Sequence, residues 1–137
     1  MNDIILNKKV GIERCIQQIE SYYHMETGLP FAEDNLRQDA VAMNLQRAAE
    51  LTIDIANHLI KTRKLGLPRD SRESFFLLEQ AGLIDTEMTK KLQGMVGFRN
   101  ILVHEYQKMD MNIMVEVIEH RIRDLLAFAN RALGVVD

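Results

Sequence analysis

Residues 33–64 read EDNLRQDAVAMNLQRAAELTIDIANHLIKTRK and contain neither glycine nor proline. Apolar side chains recur every three or four positions along this stretch and form one broad stripe: Val41, Leu45, Ala48, Leu51, Ile55, Leu59 and Ile60. This spacing predicts one long amphipathic helix from about Glu33 to Lys64, which ends before Gly66-Leu67-Pro68. Its small residues, Ala48, Ala49 and Ala56, would let neighbouring helices approach closely, so we expect the other helices to pack around it.

Four further helical segments flank the long one. Three of them have predicted boundaries, which are Asn2 or Asp3 to the Gly28-Leu29-Pro30 break, Asp70 or Ser71 to Ala81-Gly82, and Asp110 to Gly134. The remaining helix opens at Asp85 and runs through Met88, Leu92, Met95 and Val96, before a loop that ends at Met109-Asp110. No strand pattern, repeat or linker interrupts the sequence. We therefore predict an all-α fold, an antiparallel bundle of about five helices that forms a dimer and occupies residues 1–137 as a single domain.

Two features of the later segments predict close packing. Gly94 and Gly97 lie inside the fourth helix, where each costs about 1 kcal/mol relative to alanine. We expect a close backbone contact there, either with the long helix or, across a twofold axis, with the same helix of a partner. The apolar run Phe75-Phe76-Leu77-Leu78 on the short third helix predicts burial on more than one side, with part of it available as an interface.

Composition places the chain among ordinary globular proteins. It has 137 residues, of which 47% are hydrophobic and 27% charged, with a net charge of −3. Cys15, the single cysteine, lies in an apolar helical stripe and is expected to be a buried, inert thiol. No apolar run approaches the length of a membrane span and no export signal is seen, so we expect a cytoplasmic protein without a membrane anchor.

Basic residues are concentrated in one part of the chain. Residues 61–109 hold 9 Lys and Arg against 6 Asp and Glu, whereas the segments on both sides are acidic. Local positive potential can attract a polyanion even to an acidic protein, which favours a substrate that carries phosphate. For the cluster Lys61, Arg63 and Lys64 alone, a solvated helix end that complements the helix dipole explains the charge equally well.

The basic segment contains the stretch Arg99-Asn100-Ile101-Leu102-Val103-His104-Glu105-Tyr106. On a helix, Arg99 and Tyr106 would lie about 20° apart and Asn100 and His104 about 40° apart, so each pair would share a face. Arg99 and His104 would diverge by about 140°. They would contact one phosphate only if the helix ended near Val103 or if a second subunit contributed.

The stretch resembles the signature of the HEPN ribonucleases, which is an Arg, a polar residue, three further positions and then a His. The matching residues here are Arg99, Asn100 and His104. Tyr106, two residues after the His, makes the stretch similar to the HepT toxin branch, which is encoded beside an MNT-type minimal nucleotidyltransferase antitoxin. The resemblance implies a type II-like toxin that cleaves RNA in a composite cleft at a homodimer interface. It also implies that the MNT partner AMPylates Tyr106 and so switches the toxin off.

The residue types suit RNA cleavage. An imidazole can move protons to and from the ribose 2′-oxygen or the leaving 5′-oxygen near neutral pH, which assigns that role to His104. The guanidinium of Arg99 stays charged and can bind two phosphate oxygens, while Asn100 would orient the histidine or the phosphate. Two copies of His104 across a twofold axis would supply a general acid and a general base. We predict no metal and no cofactor, because no convincing ligand cluster is present.

Other interpretations of these residues remain open. Arg99 and His104 can belong to a non-catalytic HEPN-type module that binds a nucleotide or a nucleotidyltransferase partner. In a purely structural interpretation, Arg99 pairs with Glu105 or caps a helix end, His104 complements the helix dipole and Tyr106 belongs to the core. Such a bundle would act through the Phe75 to Leu78 surface. On the long helix, Asp54, Asn57 and His58 are either a proton-transfer group that joins the site or a surface cluster.

Overall fold

The computed structural model describes residues 3–135, and these residues form helices without any strand. The α-helices are α1 (Asp3–Tyr23), α2 (Asn35–Arg63), α3 (Ser71–Gln80), α4 (Thr86–His104), α5 (Met111–His120) and α6 (Ile122–Leu133). One-turn 3-10 helices lie at Phe31–Glu33 and Tyr106–Lys108. The all-α prediction is confirmed. Capping of α1 by Asn2 falls outside the described residues.

Helix α2 is the centre of the bundle. It packs against α1, α3, α4 and α6. Its predicted stripe is buried except for the half-buried Leu51, and its small residues Ala48, Ala49 and Ala56 are buried as well. Asp34 caps the helix by accepting a hydrogen bond from the Arg37 amide, and Lys64 ends it in the left-handed conformation at φ 56°. The long helix predicted from periodicity is therefore confirmed to within two residues at each end.

The last predicted helix is two helices in the structure. Arg121, at φ −121° and ψ −26°, separates α5 from α6, so the described residues contain six α-helices rather than about five. Helix α6 packs against α1, α2 and α4, whereas the main packing partner of α5 is α6. The break lets α6 enter the bundle while α5 stays at its edge. Since no glycine or proline marks this position, tertiary packing rather than local sequence sets the break.

A buried arginine, Arg37, forms an ion pair at the start of α2 and also connects this helix to the end of α1. Arg37 Nε lies 2.9 Å from Asp34 Oδ2, and both residues are buried. The same guanidinium donates hydrogen bonds to the carbonyls of Tyr22, Tyr23 and Leu29. Hydrogen bonds from Thr27 and Arg37 hold the pKa of the Asp34 carboxyl below its usual value. Arg37 therefore connects the end of α1, the loop at Leu29 and the start of α2, where the sequence predicts only a break between two helices.

The structure also confirms the expected burial of Cys15 and the expected caps of α3 and α4. Cys15 is buried, and burial raises the pKa of its thiol, as expected for an unreactive cysteine. Asp70 caps α3 by accepting a hydrogen bond from the Glu73 amide, and Asp85 caps α4 by accepting one from the Met88 amide.

Among the helices of the described part of the chain, none is long and apolar enough to span a bilayer.

Candidate functional site

The site is built on the second half of α4. This helix runs unbroken through Arg99 and His104, and the Glu105 amide still donates to the Ile101 carbonyl at 2.8 Å. Glu105, at φ −141° and ψ 28°, then ends the helical path. Arg99 and His104 therefore keep the angular separation of about 140° that a regular helix imposes. The helix does end near Val103, but His104 still holds its last helical position, so this end does not turn the histidine toward Arg99 and a second subunit is the other way to bring both groups to one phosphate.

Arg99 points toward the start of α3. Its Nη2 lies 3.5 Å from the hydroxyl oxygen of Ser71, which is a weak contact. Its Nε is buried and has no hydrogen-bond partner. Within residues 3–135 no carboxylate pairs with this guanidinium, so the interpretation in which Arg99 pairs with Glu105 is wrong. A buried donor without an acceptor is costly, and an anionic ligand would satisfy it.

His104 and Asn100 occupy one face of α4, as the four-residue offset predicts. His104 is exposed at the last position of the helix, and Asn100 is half-buried one turn earlier. In the part of the chain that the structure describes, neither side chain hydrogen-bonds to another residue. Both side chains are available to a ligand at the free end of the helix.

Tyr106 lies outside helix α4, which carries Arg99. It lies in the 3-10 turn that follows α4, packs against the core and donates its hydroxyl to Asp39 Oδ1 on α2 at 2.6 Å. The prediction that Tyr106 shares a helix face with Arg99 is wrong, because the helical path ends two residues before the tyrosine. Burial, together with the hydrogen bond and negative charge of Asp39, raises the pKa of the Tyr106 phenol.

A groove of about 850 Å³ runs beside α4. Its walls are apolar and its rim is largely basic; the lining includes Gly94, Gly97, Phe98, Ile101, Ile113 and Val117 with Arg72, Lys90, Lys91, Arg121 and Glu116. Gly94 lies against no other helix of its own protomer, since a methyl group there would have nothing within 4 Å apart from its chain neighbours and the nearby backbone of α4. The predicted close backbone contact at Gly94 is therefore wrong within one protomer.

Arg72 is the residue of this groove that sequence reasoning missed. A methyl group on Gly97 would lie 2.7 Å from Arg72 Nη2, so the glycine makes room for the guanidinium rather than for another backbone. Among the described residues, no acidic side chain pairs with Arg72. The only sequence signal for Arg72 was an unexplained glycine inside a helix, which does not say what fills the space.

A family model described as ribonuclease HepT-like matches residues 12–132 of the chain. The chain belongs to the HepT-like ribonuclease family. This family is the one that Arg99, Asn100, His104 and Tyr106 resemble.

Individual relatives agree with the family. The mRNA nuclease HepT of Shewanella oneidensis is 46% identical over 128 residues, which cover 93% of this chain and 95% of the relative. The tRNA nuclease HepT of Aphanizomenon flos-aquae is 34% identical over 68 residues, which cover 50% of this chain and 46% of the relative. A solved tri-AMPylated HEPN toxin of Shewanella oneidensis in complex with MNT antitoxin has a TM-score of 0.91 and 44% identity, covering 98% of this chain and 100% of that chain. The HepT-like fold therefore extends over almost the whole chain.

Two of the polar residues of α2, Asp54 and Asn57, hydrogen-bond to neighbouring helices in this HepT-like structure. Asp54 accepts a hydrogen bond from Lys8 of α1 at 3.3 Å, whereas Asn57 accepts one from the Ser74 hydroxyl of α3 at 2.7 Å. Asp54 and Asn57 thus contact different elements, and both bonds connect helices. Within residues 3–135, no group of three or more His, Cys, Asp or Glu side chains is arranged to hold a metal ion.

Proposed function

We propose that this HepT-like chain is a metal-independent endoribonuclease whose active site is completed by a second copy. Arg99, Asn100 and His104 of both protomers would line one cleft across a twofold axis. The observation that carries this proposal is the continuity of α4, which directs Arg99 and His104 to different sides of one protomer. A homodimer supplies the missing group at each side.

The chemistry follows from the side chains. One His104 would remove the proton from the ribose 2′-hydroxyl as it attacks phosphorus, and the other would protonate the leaving 5′-oxygen. Arg99 would bind the phosphate oxygens, whose charge increases in the transition state, and its buried Nε without an acceptor supports that role. Asn100, one turn before His104, would orient the imidazole or the phosphate.

The RNA strand would continue along the groove beside α4. Arg72 has no acidic partner among the described residues, and Lys90 also lines the groove. A strand that enters this groove would place successive phosphates near these cations. We propose Arg72 as a phosphate contact outside the cleaved bond, where it would contribute to binding more than to the chemical step.

We also propose that the chain is a cytoplasmic toxin of a toxin–antitoxin pair, neutralised by an MNT nucleotidyltransferase that AMPylates Tyr106. The Shewanella oneidensis toxin described above is AMPylated and bound to an MNT antitoxin, which supports this assignment. Adenylate groups on Tyr106, two residues after His104, would add bulk and negative charge where RNA phosphates must bind. Modification would then block the nuclease without unfolding it.

The test is incubation of the unmodified protein with total RNA in the presence of EDTA. We expect the wild type to cleave RNA and the Arg99→Ala and His104→Ala variants to lose cleavage, while circular dichroism shows all of them folded. His120→Ala is the matched control, because His120 is another exposed histidine at a helix end and should cleave as the wild type does.

The same experiment separates the proposal from its main alternative, a non-catalytic module that binds a nucleotide or a nucleotidyltransferase. Absence of cleavage by a wild-type protein that is dimeric and has an unmodified Tyr106 would contradict the nuclease assignment. Retained binding of a nucleotide or of the MNT partner by that protein would then favour the module. Cleavage in EDTA that persists in His104→Ala would place the catalytic group elsewhere.

A further inference from the structure

Asp39 is the residue whose contacts the proposed nuclease chemistry does not explain. It lies on the first turns of α2, and its carboxylate accepts the hydroxyl of Tyr106 from 67 positions further along the chain, at 2.6 Å. Within the described residues, no lysine, arginine or histidine forms an ion pair with Asp39. An exposed carboxylate is thus held against one phenol and compensated by no cation.

We propose that Asp39 aims the Tyr106 hydroxyl at the nucleotide and accepts its proton when an AMP group is transferred. This inference rests on the proposed modification of Tyr106 and extends it by assigning a second residue of the toxin to the reaction. The MNT enzyme would bring ATP, and the toxin itself would supply the base.

The step balances without an oxidant or a reductant. Tyr106 Oη forms a bond to the α-phosphorus of ATP, and the bond from that phosphorus to the oxygen bridging to the β-phosphate breaks. Pyrophosphate leaves with the electron pair of that bond. The phenolic proton passes to the Asp39 carboxylate along the existing hydrogen bond and then to water, which reaches Asp39 because the residue is exposed.

The surroundings of Tyr106 make such a base necessary. A tyrosine phenol already carries its proton at neutral pH, and burial and the neighbouring carboxylate raise the pKa of Tyr106 further, so it is a weak nucleophile until that proton is removed. Asp39 is already within the distance at which a general base acts. The Tyr106 hydroxyl therefore attacks only while Asp39 takes up its proton.

The local fold makes Asp39 the group that fixes the direction of the hydroxyl. Tyr106 lies in a single 3-10 turn, its ring packs against the core, and its hydroxyl reaches the edge of α2. Because packing holds the ring, the phenolic hydrogen can still rotate only about the bond between the ring and Oη, and the hydrogen bond to Asp39 fixes that rotation. With the hydrogen directed at Asp39, a lone pair of Oη points away from the carboxylate and is free to attack phosphorus.

The experiment measures transfer of the first AMP group to the chain by an MNT nucleotidyltransferase, with α-labelled ATP and intact-mass detection. The carboxamide of Asp39→Asn can still accept the hydrogen bond but is a much poorer proton acceptor, so we expect this variant to lower kcat about 100-fold with little change in the KM for the toxin. Asp39→Ala should lower kcat at least as much. Asp54→Asn, on the same helix and bonded to Lys8, is the matched control and should react as the wild type does.

Each outcome decides a separate question. Absence of modification in the wild type, or equal modification of Tyr106→Phe, would overturn the proposed modification and with it this inference. Normal modification of the wild type with an unchanged kcat for Asp39→Asn would overturn the inference alone. Faster transfer in Asp39→Asn would also overturn it, because Asp39 would then protect the hydroxyl. A raised KM at unchanged kcat would show that Asp39 contacts the MNT enzyme rather than the reacting oxygen.

Discussion

Arg72 Nη2 lies 2.7 Å from the point where a methyl group on Gly97 would stand, so the guanidinium occupies the space that the missing side chain leaves. The atom is the end of a flexible side chain, and Gly97→Ala would therefore displace Arg72 rather than the helix. We expect this variant to be as stable as the wild type or up to about 1 kcal/mol more stable, because alanine is the better helix former. RNA binding should weaken nevertheless.

Arg72→Gln isolates the contribution of the charge. If Arg72 binds one phosphate, the slope of log affinity against log salt should decrease by about 1, measured by fluorescence anisotropy with a single-stranded RNA. Arg14→Gln, an exposed arginine of α1 outside the groove, is the control and should leave the slope unchanged. Equal salt slopes for all three proteins would remove Arg72 from the RNA path.

Gly94 tests the proposed homodimer. It is exposed in the groove and, apart from its chain neighbours and the nearby backbone of α4, nothing of its own protomer lies within 4 Å of a methyl group placed there, so an isolated protomer would tolerate a long side chain. If the partner forms the opposite wall of this groove, with the RNA strand between the two protomers, Gly94→Arg should shift the protein from dimer to monomer in sedimentation velocity and reduce RNA cleavage by about tenfold or more. Asn130→Arg, which adds the same side chain to an exposed position of α6, should do neither. A Gly94→Arg protein that remains dimeric would place the interface elsewhere.

The fold was predictable where one physical pattern dominated. The apolar stripe of α2 and the aspartate caps at Asp70, Asp85 and Asp110 each follow a local rule, and each is confirmed. The break at Arg121 was not predictable, because it depends on where α6 packs. The same holds for the hydrogen bonds of Arg37, which join residues whose proximity only the folded chain creates.

The candidate site was predictable as a set of residues but not as an arrangement. The spacing of Asn100 and His104 correctly gave a shared face, since both lie on one regular helix. It failed for Tyr106, because nothing in the local sequence shows that the helix ends at His104. Asp39 and Arg72 were missed for the same reason: their contacts with Tyr106 and Gly97 exist only in the folded structure.

Subunit mixing would show whether both copies of His104 act in one reaction. If general acid and general base come from different protomers, a dimer with one His104→Ala subunit lacks one of them and should be nearly inactive. After the two proteins are mixed and allowed to exchange subunits, cleavage should fall with the square of the wild-type fraction. A linear fall would mean that each protomer cleaves RNA independently, which the separation of Arg99 and His104 on α4 argues against.

The Asp34 and Arg37 pair predicts how stability depends on pH. Hydrogen bonds from Thr27 and Arg37 lower the pKa of Asp34 in the folded state, so folding favours its ionised form. Its stabilising contribution is complete above the ordinary aspartate value of about 3.9 and disappears as pH falls through the lower folded value. Urea unfolding should show Asp34→Asn less stable than the wild type at about pH 6, with a smaller difference at about pH 3. Glu33→Gln, at the exposed preceding residue, should show no such change.

Arg37 should matter more than its partner, because it also donates to three backbone carbonyls. Arg37→Met would preserve much of the aliphatic packing but would remove the guanidinium from those carbonyls and the paired cation from the buried Asp34 carboxylate, which would keep only its hydrogen bonds from Thr27 and from the backbone amide of residue 37. We expect a loss of about 3 kcal/mol in the free energy of unfolding, measured by urea titration at neutral pH. Arg123→Met removes an exposed arginine paired with Glu20 and should cost less than about 1 kcal/mol. Similar losses for the two variants would mean that the connection between α1 and α2 contributes no more to stability than a surface ion pair does.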